Sequence, residues 1–105
     1  MNICAIAGHL ARTAVLKGAE KKVLLFTLAA KSGWDDSEQK DRVSYVPVVV
    51  FNPSDDLVHS LVNNGKGIYV ELEGRVVSTS YESKGERKFT TEVVAFNRSI
   101  TLLKN

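Results

Sequence analysis

NPSDDLVHSLVNNG, residues 52–65, is the one stretch of this 105-residue chain that reads as a helix. Pro53 and Ser54 suit a helix start, and Asp55 and Asp56 suit the positive end of the helix dipole. Asn63, Asn64 and Gly65 suit its end. Leu57, Val58, Leu61 and Val62 then form one apolar stripe, so the segment predicts a short helix that plugs a core.

Everything around that helix reads as strand, because apolar residues recur with period two or in short β-branched blocks. Upstream, residues 2–8 predict a first strand and KKVLLFTLAAK, residues 21–31, a second. RVSYVPVVVF, residues 42–51, predicts a third, in which Pro47 donates no backbone hydrogen bond and so belongs at an edge or an unpaired position. Between the second and third lies SGWDDSEQKD, whose charge and lack of period predict a surface loop. Downstream, GIYVELEGRVVSTSY (67–81) and RKFTTEVVAFNRSITLL (87–103) predict a closing hairpin around the tight turn SKGE. Three strands, a helix and a final hairpin make the layout of an OB-fold: an all-β, five-stranded Greek-key barrel with one short helix between strands three and four. No repeat, low-complexity segment or linker interrupts the chain, so residues 1–105 are expected to form a single domain.

With 44% apolar residues the chain can fill one modest core, and no apolar run approaches bilayer-spanning length. The start MNICAIAGHL lacks the basic opening and long apolar stretch of a signal peptide, which makes a cytoplasmic location the default expectation. Cys4 stands alone in an apolar alternation and reads as a small core hydrophobe. A net charge of +2 says little about a polyanionic partner, so the distribution of charge and aromatics must carry the argument.

Side chains alternate across a strand, and residues an even number apart share a face. Tyr45 and Phe51 therefore point the same way, together with Val43, Pro47 and Val49. In the fourth strand Val70, Leu72, Gly74 and Val76 form the apolar set assigned to the core, which turns Glu71, Glu73, Arg75, Thr79 and Tyr81 outward. Trp34 lies among Gly33, Asp35 and Asp36, where burial would be difficult. Such rings could simply be cross-strand partners on a sheet. Four outward rings with Lys and Arg beside them also suit unpaired bases, each of which stacks on an aromatic for about 1–3 kcal/mol while cations attract the phosphates.

These segments resemble the bacterial single-stranded DNA-binding protein (SSB) family over nearly the whole chain. MNICAIAGHL looks like the family's opening strand, FTLAAKSGW like its second strand and the tryptophan beyond, and VVVF like the close of its third. KGIYVELEGRV, followed by Tyr81 seven residues after Gly74, matches the spacing to an aromatic on a projecting hairpin, and KFTTEVV resembles the strongest signature. The resemblance implies base stacking at Trp34, Tyr45, Phe51 and Tyr81. It implies phosphate contacts from Lys31, Arg42, Arg75, Lys84, Arg87 and Lys88, the last three holding the backbone next to the Tyr81 base. Single-stranded DNA is the implied partner, in replication, recombination or repair within the bacterial nucleoid.

Several departures accompany the likeness. Tyr45 and Tyr81 stand where the family usually has Trp, and Pro47 replaces its usual basic residue, which implies weaker binding. The connection ARTAVLKGAEKK is short, and the chain stops at Asn105 without an acidic tip, so recruitment of repair enzymes by that route is expected to be absent. VPVVV resembles a Pro-containing strand of the primosomal replication restart proteins, the alternative reading: an OB-fold adaptor binding single-stranded DNA and partner proteins. One OB-fold covers few nucleotides, so a homo-oligomer is expected, a tetramer by likeness to SSB or a dimer by the alternative.

An enzyme would need a constellation that is missing here. His9 and His59 fall in different elements, one Cys with two distant His makes no metal set, and NNGKG lacks the rest of a phosphate-binding loop. Asp35-Asp36 read as a solvated loop pair and Asp55-Asp56 as a helix N-terminal pair. No catalysis, cofactor or metal is expected. A module that binds protein or oligosaccharide remains open, since the fold alone does not choose the ligand.

Overall fold

Along β3, Val23–Asp35, the residues Leu24, Phe26, Leu28 and Ala30 are buried while their neighbours Val23, Leu25, Thr27 and Ala29 are only partly covered. That alternation sets one side of β3 against a core and the other toward the exterior. The computed structural model describes residues 1–64 and 67–104; Gly65, expected above as the helix stop, lies outside them, as does Lys66 of NNGKG. The other elements are β1 (Cys4–Leu10), β2 (Val15–Lys17), β4 (Lys40–Phe51), α1 (Asp55–Asn64), β5 (Ile68–Ser83), β6 (Glu86–Ala95), a 3-10 turn (Asn97–Ser99) and β7 (Thr101–Lys104).

Among the described residues the strands form one sheet in the order β1-β3-β4-β6-β5-β7 that curls back so that β1 also pairs with β5. The ring is closed at two narrow places. β1 reaches β3 only through His9 and Leu10, and β4 meets β6 in parallel only at Val48↔Val93 and Val49↔Val94. This is the expected OB-type barrel, partly closed, with two short strands added at its rim. β2 arises in the expected connection, where Val15, Leu16 and Lys17 pair with Leu25, Leu24 and Val23.

Inside sit Leu24, Phe26 and Leu28 of β3, Val48 and Val50 of β4, Ile68, Val70 and Leu72 of β5, and Val93 and Ala95 of β6. Ser54 caps α1, its hydroxyl accepting from the Leu57 N–H at 3.2 Å. Leu57 and Leu61 then enter the same core while Val58 and Val62 are partly covered, so the helix plugs one end of the barrel as its stripe predicts. Cys4 is half-buried and packs against this core.

Four expectations are corrected. The first strand begins at Cys4 because Asn2 continues the β1–β5 ladder with its side chain instead: its amide donates to the Val76 carbonyl at 2.7 Å and accepts from the Val76 N–H at 2.9 Å. The last strand breaks after Ala95, where Ser99 takes over a rung. The Glu73 N–H donates to its hydroxyl at 2.8 Å, and the hydroxyl lies within bonding distance of the Glu73 and Phe96 carbonyls. Val76 is exposed rather than core, since β1 pairs with β5 no further than Cys4↔Gly74 and the barrel wall ends there. The stretch SGWDDSEQKD is not a loop: β3 and β4 run on as a hairpin to Asp35 and from Lys40, leaving only residues 36–39 as the turn.

Gly8 sits at the corner where β1 leaves β5 for β3. A Cβ there would stand 2.4 Å from the Ala29 carbonyl oxygen, a backbone atom that cannot swing away. Gly8→Ala should therefore destabilise the fold by about 1–3 kcal/mol, read as a lowered urea midpoint at unchanged slope. A midpoint within error of the parent's would show that the corner is loose.

Candidate nucleic-acid interface

All four expected aromatics are exposed: Trp34 is 54% accessible, Tyr45 69%, Phe51 52% and Tyr81 48%. Register shows how they share a surface. Up to Lys31↔Val43 the pairing of β3 with β4 is regular, and it sets Val23 beside Phe51 and Ala29 beside Tyr45 on the exterior face. By simple alternation Trp34 would then fall with Leu24 and Leu28 on the core side. A β-bulge between Lys31 and Gly33 adds one residue to β3, so that Trp34 comes opposite Asp41, an odd-numbered β4 position on the same side as Tyr45. The bulge thus returns the indole to the face that holds Tyr45 and Phe51.

The ion pairs agree with this assignment. Lys31 Nζ lies 3.3 Å from Asp41 on the Trp34 face, and Arg42 Nε lies 3.7 Å from Asp35 on the reverse. Two of the expected phosphate ligands, Lys31 and Arg42, are therefore tied to carboxylates, though exposed pairs like these are worth no more than about 1 kcal/mol. Arg75, Lys84, Arg87 and Lys88 form no ion pair among the described residues.

Those four cations belong to the β5–β6 hairpin. Beyond Gly74↔Ala95 its strands pair with each other, and among the described residues they are joined to the rest only at the Val93–Val94 seam and by the Asn2 side chain at Val76, ending in the two-residue turn of Lys84 (φ 52) and Gly85 (φ 81). Both φ values are positive, as a turn matched to the twist of a hairpin requires. Arg75, Val77, Thr79 and Tyr81 stand opposite Val94, Glu92, Thr90 and Lys88 on the exterior face, where the Thr79 and Thr90 hydroxyls bond at 2.9 Å. Because Val49 and Val94 join β4 to β6 on that same face, the surface carrying Trp34, Tyr45 and Phe51 continues onto the surface carrying Tyr81 and Lys88. Arg87, expected beside Tyr81, falls instead on the reverse of the hairpin opposite Glu82.

Sequence reasoning missed two features. A groove of about 320 Å³ runs over Pro47 between Leu25, Thr27 and Glu92, and Arg12 and Lys17 line it. The cation missing from β4 is thus answered by the β1–β2 segment, which the basic run at residues 12–22 could have signalled. Phe89, on β6, is 69% accessible and lies with Arg87 on the reverse face.

A partly closed barrel of OB type with a capped helix at one end and a ring-bearing wall defines a class of oligonucleotide-binding folds. The family model described as the single-strand binding protein family matches residues 1–101, and the chain belongs to that family. Among solved structures it is similar to a Plasmodium falciparum SSB in complex with single-stranded DNA. The two share 21% identity over 98% of this chain and 93% of that one, with a TM-score of 0.76, a likeness of fold. No curated protein matches the chain. No helix among the described residues is long and apolar enough to cross a membrane.

The tip of the β3–β4 hairpin is held by Asp35. Its carboxylate accepts from the Ser37 hydroxyl at 2.7 Å and from the Ser37 and Glu38 N–H groups at 3.0 and 3.3 Å. The Ser37 hydroxyl chiefly keeps the carboxyl below its ordinary value of 3.8; partial desolvation opposes the shift, and the two N–H groups reinforce it. A carboxyl lowered on folding steadies the turn above its unfolded pKa and releases it as pH falls through the folded value. The Ser37 and Glu38 amide NMR shifts should accordingly titrate with a midpoint below 3.8. A midpoint at or above that value would remove the carboxylate from this role.

Proposed function

We propose that this chain binds single-stranded DNA without catalysis and with little sequence preference, by stacking bases on Trp34, Tyr45, Phe51 and Tyr81. Membership of the single-strand binding protein family supports the ligand. The observation that carries the residue assignment is that all four rings are exposed on one continuous exterior wall. A protein core would have drawn such rings inward, since burying one is worth about 1.5–3 kcal/mol. Lys31, Arg75, Lys84 and Lys88 contact phosphates on this wall, with Arg12 and Lys17 serving the groove over Pro47. Arg42 and Arg87 approach the strand from the reverse of their hairpins.

Residues 1–105 act as one binding unit in replication, recombination or repair, in the bacterial nucleoid. Because one barrel covers few nucleotides, the working form is a homo-oligomer, a tetramer or a dimer. The primosomal alternative is supported no better.

Oligo-dT should quench Trp34 emission, and Tyr45→Ala, Phe51→Ala and Tyr81→Ala should each weaken binding by about 1–3 kcal/mol while leaving thermal stability nearly unchanged. Raising the salt should weaken binding by counterion release. Unchanged emission at saturating strand would refute the stacking reading, and variants that bind normally but melt early would show the rings to be structural.

Light scattering on the purified protein at micromolar concentration is expected to report a multiple of the 11.5 kDa chain. A monomer would overturn the oligomer proposal.

A further inference from the structure

The β5–β6 hairpin has two faces, and only one enters the reading above. On the reverse, alternation places Ser78, Ser80 and Glu82 of β5 opposite Thr91, Phe89 and Arg87 of β6. Phe89 is as exposed as Tyr45, the most open ring of the exterior wall. Arg87, two residues before it on the same face, makes no ion pair among the described residues. Each face therefore carries a ring, a cation without an ion pair among the described residues and hydroxyls: Tyr81, Lys88, Thr79 and Thr90 on the exterior, with Arg75 further along, and Phe89, Arg87, Ser80 and Thr91 on the reverse, with Glu82 opposite Arg87.

We propose that the hairpin binds single-stranded DNA on both faces, and that Phe89 stacks a further base while Arg87 holds its phosphate. This rests on the single-stranded DNA reading and extends it to a second site. The chemistry favours nucleic acid over a second copy of the chain. Beyond the barrel wall, Phe89 and the smaller Val76 are the exposed large apolar side chains on this face among the described residues, and a stable protein interface buries roughly 1,200 Å² or more of surface in total. A lone ring among hydroxyls and a cation suits a base and its phosphate.

The path is open. β4 pairs with β6 only at Val93 and Val94, so residues 86–92 present a bare edge around which a strand can pass. Ser80↔Phe89 is the register pair next to Tyr81↔Lys88, so the two rings lie at almost the same height on opposite sides of the ribbon.

The test places a single reporter on each face: Phe89→Trp and, separately, Tyr81→Trp, both in a Trp34→Phe background that retains a stacking ring. Titration with a long oligo-dT should quench both, and Phe89→Ala in the otherwise unaltered protein should weaken binding about tenfold. Quenching at residue 81 with none at residue 89 would overturn this proposal and leave the stacking reading intact; silence at both positions would overturn both. Emission at residue 89 that shifts with protein concentration and ignores DNA would assign the ring to a contact between copies, and would equally overturn the proposal. Normal melting of Phe89→Ala is expected, and Phe89→Tyr should restore most of the affinity; an Ala variant that binds normally would sink the second site.

Discussion

The short parallel seam in which Val48 and Val49 meet Val93 and Val94 is the constraint on which the rest of the molecule depends. Val48 and Val93 face the core there, while alternation turns Val49, itself covered, and the half-buried Val94 to the other side of the wall, so the seam closes the barrel and also joins two halves of its exterior. Pro47 has no N–H with which to extend the pairing. With only two residue pairs to hold them together, β4 and β6 part company, and each continues with its antiparallel neighbour as a free two-stranded ribbon.

Those ribbons carry much of what the barrel could not. Trp34 and Tyr81 sit on segments that contribute nothing to the buried core, in which Leu24, Leu28, Leu61, Val48, Val50, Ile68 and Val70 are almost wholly enclosed. On the proposed reading, folding and binding thus use different side chains of the same strands. Leu24 to Ala30 and Val46 to Val50 hold the wall, and each strand beyond its wall segment is released to meet a ligand. The bulge after Lys31 is the adjustment that makes the release useful, because it turns Trp34 back toward the face of Tyr45.

Much of this was legible in the residues. Period-two alternation marked the core of β3 and the front half of β5, the Ser54 cap and the Leu57–Leu61 spacing marked the helix, and Pro47 marked the end of a pairing. What escaped detection shares a physical cause: side chains did work that pattern rules assign to the backbone. Asn2 and Ser99 supply ladder hydrogen bonds, so the first strand begins two residues later than its pattern suggests and the last one breaks where its pattern runs on. The segment around Trp34 has the composition of a loop, yet its opposite charges are arranged across two strands, Lys31 with Asp41 and Asp35 with Arg42, and pair there. A bulge leaves no mark in hydrophobic periodicity, and it alone set the face of Trp34. That Arg87 stands across the ribbon from Tyr81 has a simpler cause: neighbours on a strand face opposite ways.

The distribution of charge bears on how such a surface can hold a polyanion. Lys31 and Arg42 already have carboxylates for company, so a phosphate arriving at either one exchanges one anion for another instead of gaining a full ion pair. A released Asp41 or Asp35 would then sit beside the phosphate and repel it, although the high dielectric of water at the surface weakens that repulsion. Among the described residues, cations without an ion pair include Arg75, Lys84, Arg87 and Lys88 on the β5–β6 hairpin and Arg12 and Lys17 at the groove over Pro47. Phosphate contacts of this kind would set register along the wall and add a salt-dependent share of affinity that scales with the number of phosphates met. On the proposed reading, rings meeting bases supply the rest. On that same reading a tyrosine offers less area to a base than a tryptophan would, so Tyr45 and Tyr81 would gain grip by multiplying ring contacts along one strand.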